Sequence, residues 1–517
     1  MAGRAADLVR LGPAGRRADA APCRGRHRGR ERPGVVEVHV AVLPQLRLLR
    51  HHRGRPVLPP ASGGRTVTTS SSPVLLVRGG HELSGDVRVS GFKHAFVTVL
   101  AGALTGRSTV TVDNCPDIEE TRVLLALARS FGVRVRGGGR TVSVDPSGLT
   151  EHALDPRLVD RVHGAVYLLP ALLARFGQVR LPAAGGCRIG DAASGARPVH
   201  QYAEVLRRFG AEVATGQDGS LTVRADRMTA CELDLRDWTA DRELRTGPLY
   251  SGATKMAILA AASARGTTRL RHPYPKPDVT ELVRLLDATG RPARYTPEGD
   301  LLIEGRPDGG HGRPVRHELV SDLIEVVTWA TAAALTGGKV RLTGLTPGRL
   351  AAGLAPEIAV ARDMGLSWHP TARSLVLTGE PPSAAADITV ASHGIYSDSQ
   401  PFFMLLATLG PGVSHIRETV WRRRFTHVPE LRRLGADIEV VDAEARVLGG
   451  HPPSRPGQSV VGRDLRSTAA LLLAALAVPG RARVYGSEHL VRGYEDLVGD
   501  LVRLGARIRT ESHEDGG

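Results

Sequence analysis

An amphipathic helix that ends on a glycine and runs into a short strand recurs six times along this chain. The copies are LARSFGVRV at Gly132, LRRFGAEV at Gly210, LLDATGRPA at Gly290, ARDMGLSW at Gly365, LRRLGADIEV at Gly435 and LVRLGARI at Gly505. The spacings between the glycines are 78, 80, 75, 70 and 70 residues. In each copy the Leu and Val spacing is helical, the glycine falls where a helix C-terminus needs a left-handed residue, and the alternation that follows reads as a strand. Units of this length exceed the roughly 20–50 residues of a solenoid repeat, so they predict a few large α/β subdomains grouped into globular domains. Small-residue segments such as GATKMAILAAASARG, WATAAALTGG and STAALLLAALAVPG suit helices buried against other helices. Each repeat should therefore hold about two helices and several strands, with one of the helices buried.

The rest of the composition bounds the class. The chain has 517 residues and four cysteines, Cys23, Cys115, Cys187 and Cys231. Their spacing is neither that of a zinc ribbon nor that of a disulfide scaffold, which predicts free thiols in a reducing compartment and a cytoplasmic location. No apolar run approaches the roughly 18 residues of a membrane span, so a soluble protein without a membrane partner is expected. The formal net charge of +15 is uneven: residues 1–66 carry 14 Arg, no Lys and four acids (14 − 4 = +10), which leaves 15 − 10 = +5 for everything after them. That Arg- and Pro-rich leader, residues 1–67, is too poor in periodic apolar residues to offset its ordering entropy and is expected to be disordered. It lacks the apolar core of a signal peptide. It reads either as a basic tail or as sequence upstream of a start near Val67. A nucleic-acid partner would rest on the leader alone and is not expected for the globular part.

Arginine outnumbers lysine 64 to 4, so a lysine stands out. Lys93, in LSGDVRVSGFKHAFVTVLAGAL, falls where a strand turns into an apolar helix, near N–H groups that attract anions. Cys187 sits in the Gly-rich stretch LPAAGGCRIGDAASGARPV beside Arg188 and Arg197, a setting that favours a usable thiol, whereas Cys115 and Cys231 lie in strand-like contexts. Asp398, in IYSDSQPFFMLLATL, reads as a helix N-cap. Arg424 with Arg422 and Arg423, then Arg466, then Arg492 stand at the openings of three further helices, an arrangement that could surround a phosphate or carboxylate. Taken singly, Lys93 and Cys187 fit a bland role better, as a solvated cation and an inert thiol, and the arginines fit ordinary surface residues of an Arg-rich chain.

Taken together, and in order, SGFKHAFVTVLAGALTG, LLARFGQVRLP with GGCRIG and ARPV, ETVWRRRFTHVPELRRLGADI, DLRSTAALLLA and RGYEDLVGDLVRLGA resemble the UDP-N-acetylglucosamine enolpyruvyl transferase family. These are carboxyvinyl transferases of early peptidoglycan synthesis, sisters of the shikimate-pathway enolpyruvyl transferase. The resemblance runs from about residue 74 to 511. It implies an α/β fold of two inside-out domains, each of three βαβαββ repeats, with the active site between them. Residues 68–92 would join 315–517 in one domain, and 93–314 would form the other. It implies phosphoenolpyruvate as donor and neither metal nor other cofactor. By resemblance Lys93 and Arg197 bind the donor phosphate, Cys187 adds to the donor and serves as acid, and Asp398 lies beside the acceptor hydroxyl. Arg424, Arg466 and Arg492 line the cleft.

The departures fall at the acceptor end. The asparagine usual after the lysine is His94, and a helix arginine is replaced by His163. His200, Gln201 and Tyr202 stand where the family faces the uridine, and Pro248 and Tyr250 stand where it has a lysine and a serine near the nucleotide phosphates. A DAASG insertion follows the cysteine. Relatives in nucleoside-antibiotic pathways use the 3′-hydroxyl of UMP, and this pattern is similar to theirs, with His94, His163, His200, Tyr202 and Tyr250 as acceptor-side residues. The expectation is an enolpyruvyl transferase acting on a uridine nucleotide, UMP first and UDP-N-acetylglucosamine as the alternative. A non-catalytic homologue would be expected to lose Cys187, Lys93 or Asp398, and all three are present. The oligomeric state stays open.

Overall fold

The computed structural model describes residues 73–192, 195–310, 312–370 and 373–511. The leader, residues 1–67, with Cys23 and the start near Val67, lies outside them. All six repeat glycines adopt positive φ, from +78° at Gly365 to +110° at Gly435. In each copy the amide after the glycine donates to a carbonyl five residues back. The pairs are Val133 to Ala128, Ala211 to Leu206, Arg291 to Leu286, Leu366 to Ala361, Ala436 to Leu431 and Ala506 to Leu501, at 2.8–3.2 Å. This closes the last helical turn, satisfies a carbonyl that the helix would leave orphaned and turns the chain into the next strand.

Six sheets result. Five share one plan of three antiparallel strands with a fourth added parallel at one edge, as where Val315–Glu318 runs parallel to Val110–Asp113, which pairs antiparallel with Thr141–Asp145 and that with Arg134–Gly138. The sheet of the Gly210 repeat departs from the expected four strands. Gln178–Leu181, Leu221–Arg224 and Glu212–Thr215 pair without a parallel neighbour among the described residues.

The helices divide into two kinds. Repeat helices such as Val199–Arg208 bury one face only, through Tyr202, Ala203, Val205 and Leu206. The small-residue helices Tyr250–Ser263, Leu323–Thr336 and Leu465–Ala477 are buried almost all round, as are Lys93–Leu104 and Gln400–Leu409. They pack as two trios, Lys93–Leu104 with Leu169–Phe176 and Tyr250–Ser263, and Leu323–Thr336 with Gln400–Leu409 and Leu465–Ala477. Helices form the core and sheets the outside, the inverse of an ordinary α/β layering.

Three sheets use strands from residues 110–318, and the other three use strands from 74–88 and 339–511. We propose that these sets correspond to the two expected domains, with Val315–Glu318 pairing back into the sheet of the 93–314 set. The chain crosses between the sets twice, at 89–93 and 319–322, and the two crossings lie side by side. Phe92 N donates to Val320 O at 2.8 Å and Asp322 N to Ser90 O at 2.8 Å. Ser90 donates through its amide and hydroxyl to Glu325 Oε2, at 3.0 and 2.6 Å. Gly91 is obligatory there, because a Cβ would lie 1.7 Å from the Asn114 carbonyl oxygen.

Candidate active site

The first crossing delivers Lys93 to the start of Lys93–Leu104, inside a cleft between the two strand sets. Its amide donates to Asp322 Oδ2 at 3.2 Å, and Asp322 also caps Leu323–Thr336, so one carboxylate fixes the ends of two buried helices. Lys93 Nζ lies 2.7 Å from Glu120 Oε2. Burial alone would raise the Glu120 carboxyl, but the Lys93 ammonium, with His94 and Arg492, holds it below the usual carboxylate range.

Asp398 does not cap a helix as expected: Ser399 takes that place before Gln400–Leu409, and the Asp398 side chain turns into the cleft. Oδ1 accepts from Arg424 Nη2 at 2.6 Å and Oδ2 from Arg466 Nε at 3.0 Å. Burial opposes ionisation there, yet the two guanidiniums keep the carboxyl well below its ordinary pKa. Arg424 donates also to Ser397 Oγ at 3.1 Å. Arg466, second residue of its helix, lies over the Tyr494 ring with Nη1 and Nη2 buried and unpaired. Such spare fork donors suit an anion. Arg492 ends the short turn Ser487–Arg492 instead of opening a helix, and its Nη2 donates to the Arg161 carbonyl at 2.9 Å.

Cys187 lies half-buried in the loop between Gln178–Leu181 and Val199–Arg208, lining the same cleft. Its carbonyl accepts from Arg197 Nη2 at 3.3 Å, and the Arg197 guanidinium sits 6.0 Å over the Trp421 ring. Asp191, first residue of the insertion, reaches across: its Oδ1 accepts from the Arg423 amide at 3.1 Å. Burial pushes the other described thiols up, Cys115 to about 12 and Cys231 to about 11.

Elsewhere in the cleft, His163 is buried with Nδ1 unpaired, its pKa far below the ordinary imidazole value through burial and then the charges of Arg197, Lys255 and Lys93. Tyr202 stands edge-on to it at 6.0 Å, in a space left by Gly252, where a Cβ would lie 2.3 Å from the Tyr202 ring. The Tyr202 hydroxyl donates to the Pro248 carbonyl at 3.2 Å, and that of Tyr250 to the His272 carbonyl at 2.6 Å. His94 stacks on Phe92 with its Nε2 3.6 Å from Asp398 Oδ2. The structure thus gathers Lys93, His94, His163, Cys187, Arg197, Tyr202, Tyr250, Asp398, Arg424, Arg466 and Arg492 around one cleft. It leaves His200 exposed and outside that lining.

Two lysines belong to the neighbourhood that the sequence reading passed over. Lys255 Nζ pairs with buried Asp278 and lies 5.5 Å over the Tyr167 ring. Lys276 donates to the Gly394 carbonyl at 2.8 Å and sits 3.7 Å over Tyr396, its pKa brought down to about 8 by burial. The rarity that marked Lys93 marks them equally, since three of the four lysines in the chain are buried here. Six cations and four carboxylates line the cleft, with one thiol on a loop. That set can hold a multiply anionic ligand, protonate a carbon and handle a hydroxyl proton.

Comparison with known proteins agrees. The family described as EPSP synthase (3-phosphoshikimate 1-carboxyvinyltransferase) matches residues 77–501. The UDP-N-acetylglucosamine 1-carboxyvinyltransferase of Desulfosudis oleivorans is 33% identical over 436 residues, 84% of this chain and 98% of that protein. A second UDP-N-acetylglucosamine 1-carboxyvinyltransferase, from Mesorhizobium japonicum, is 34% identical over 435 residues, again 84% and 98%. Among solved structures, the enolpyruvyl transferase NikO from Streptomyces tendae superposes with a TM-score of 0.81 at 42% identity, covering 86% of this chain and all of that one. An EPSP synthase from Acinetobacter baumannii shares the fold, with a TM-score of 0.65 at 17% identity over 85% of this chain and all of its own. No helix among the described residues is long and apolar enough to cross a membrane.

Proposed function

The chain belongs to the enolpyruvyl (carboxyvinyl) transferase family, and from that premise we propose that it moves the enolpyruvyl group of phosphoenolpyruvate onto the 3′-hydroxyl of UMP, releasing phosphate. One observation carries the choice of acceptor. Where a pyrophosphate would need donors, the chain has Pro248, which offers no charge, and Tyr250, whose hydroxyl is spent on the His272 carbonyl. A UDP-sugar would leave charge underneutralised there, and each missing charge-assisted contact is worth about 1.5–3 kcal/mol. A nucleoside monophosphate needs fewer such contacts. The 42% identity to the enolpyruvyl transferase NikO, against 33–34% to the two UDP-N-acetylglucosamine 1-carboxyvinyltransferases, favours a member set apart from those enzymes.

In this reading Lys93, Arg197 and the unpaired nitrogens of Arg466 hold the donor phosphate and carboxylate, with Arg424 and Arg492 beside them. Cys187 protonates C3 of the enol while C2 takes the acceptor oxygen. Loss of phosphate and of a C3 proton then regenerates the vinyl ether. UDP-N-acetylglucosamine is the second reading, favoured by the names of the curated relatives. Phosphate release and product mass with phosphoenolpyruvate and each acceptor decide between them. A higher kcat/KM for UMP is expected, and a higher value for the UDP-sugar reverses the assignment.

A further inference from the structure

Four buried cations of the cleft are matched by carboxylates: Lys93 by Glu120, Lys255 by Asp278, and Arg424 and Arg466 by Asp398. Lys276 is not. It is 4% exposed, and among the described residues its ammonium makes no ion pair. It donates to the Gly394 carbonyl at 2.8 Å and lies 3.7 Å over the Tyr396 ring. Burial brings its pKa down to about 8, against the opposing charges of Glu357, Asp278 and Glu418. A cation buried without an ion partner is costly to hold, so what it grips is informative.

Lys276 stands just before the helix Pro277–Ala288, in the set whose strands lie within residues 110–318, whereas Gly394 and Tyr396 belong to the segment that leads into Asp398 in the other set. The tie crosses between them. Within its own set that segment is already fixed: the Tyr396 amide donates to Glu357 Oε1 at 2.8 Å, Ser397 Oγ to Glu418 Oε2 at 2.8 Å, and Arg424 and Arg466 bind Asp398. Those bonds place Asp398 relative to its own arginines. They do not place it relative to Lys93 and Cys187, which lie in the opposite set. From that side come Lys276, the Phe92 ring edge-on to Tyr396 at 5.9 Å, and the Arg245 carbonyl, which accepts from Ser392 Oγ at 2.5 Å. We propose that Lys276 is a positioning residue that registers Asp398 against the opposite half of the reaction centre, acting through the Gly394 carbonyl and the Tyr396 ring. A misplacement of about 1 Å between reacting groups can cost about 100-fold in rate, so one buried tie is enough to matter.

This rests on the enolpyruvyl transfer proposed above, and the test separates the two. K276M keeps most of the stem and removes the charge. It should lower kcat about tenfold or more, while the KM for phosphoenolpyruvate and for the acceptor each change less than about threefold. A side chain that only supported the fold would lower the melting temperature and leave the kcat of the folded protein alone. Y396L removes the ring, and K276M/Y396L should fall no more than about threefold below the slower single variant, because both act through one contact. If K276M loses its fold, E357Q added to it removes a carboxylate charge that Lys276 faces, and the pair is read against E357Q alone. A kcat within about threefold of the reference overturns the proposal, as do effects of K276M and Y396L that multiply independently. Wild-type protein that releases phosphate with neither UMP nor UDP-N-acetylglucosamine removes the underlying reading, and the proposal falls with it.

Discussion

The thiols separate by environment. Cys115 is buried and pushed up to about 12, and Cys231 rises to about 11, whereas Cys187 lines the cleft on a loop whose carbonyl meets Arg197. The epoxide fosfomycin should therefore alkylate Cys187 at least about tenfold faster than Cys115 or Cys231, as read by peptide mapping, because the thiolate is the nucleophile. Lys255 and Asp278 form a pair with side chains 9% and 1% exposed. Lys255→Met strands a buried carboxylate and should cost about 3–5 kcal/mol in urea denaturation, with much of the loss restored by adding Asp278→Leu. Lys93 was legible in the sequence because two cues coincided, rarity and a strand-to-helix turn. Lys255 had rarity alone, since its partner lies 23 residues on and only the packing of Tyr250–Ser263 brings them together. The exposure of His200 could not be foreseen from its place in the aligned segment, because it depends on which side of Val199–Arg208 meets the core.

At the scale of elements, what was local was legible. Helix, glycine and strand were readable six times because a cap depends on neighbours within about one turn, and all six glycines have the conformation required. That Gln178–Leu181 has no parallel neighbour among the described residues was not readable, since an edge strand comes from elsewhere in the chain and leaves no mark on the strand it would join. The crossing points carry a further consequence. Glu325, which receives both Ser90 donors, is raised from 4.5 to about 7 by burial and by the Asp322 charge. The unfolded chain ionises this group before the fold does, so its contribution to stability falls as pH rises from about 4.5 to 7, and the penalty is complete above that. Glu325→Gln should raise stability by about 1–3 kcal/mol at pH 8 and leave it unchanged at pH 4, in thermal melts at the two pH values.

Across the whole molecule, the chemistry is divided. Lys93, His94, Cys187 and Arg197 come from the set whose strands lie within residues 110–318, and Asp398, Arg424, Arg466 and Arg492 from the other. Contacts spanning the cleft tie them: Asp191 to the Arg423 amide, Arg492 to the Arg161 carbonyl, and the hydroxyls of Thr246 and Thr419 at 2.8 Å. Asp191→Ala should raise the KM for both substrates about three- to tenfold and leave the melting temperature within about a degree, because one exposed loop contact holds the cysteine loop without supporting a core. Phosphoenolpyruvate is an energy-rich ester. In the proposed reaction the thiol that protonates the donor stands on one set and the paired arginines with Asp398 on the other, so the reaction centre is whole only where the two sets meet. A centre assembled from two separate sets would spare that ester from hydrolysis wherever the sets are apart.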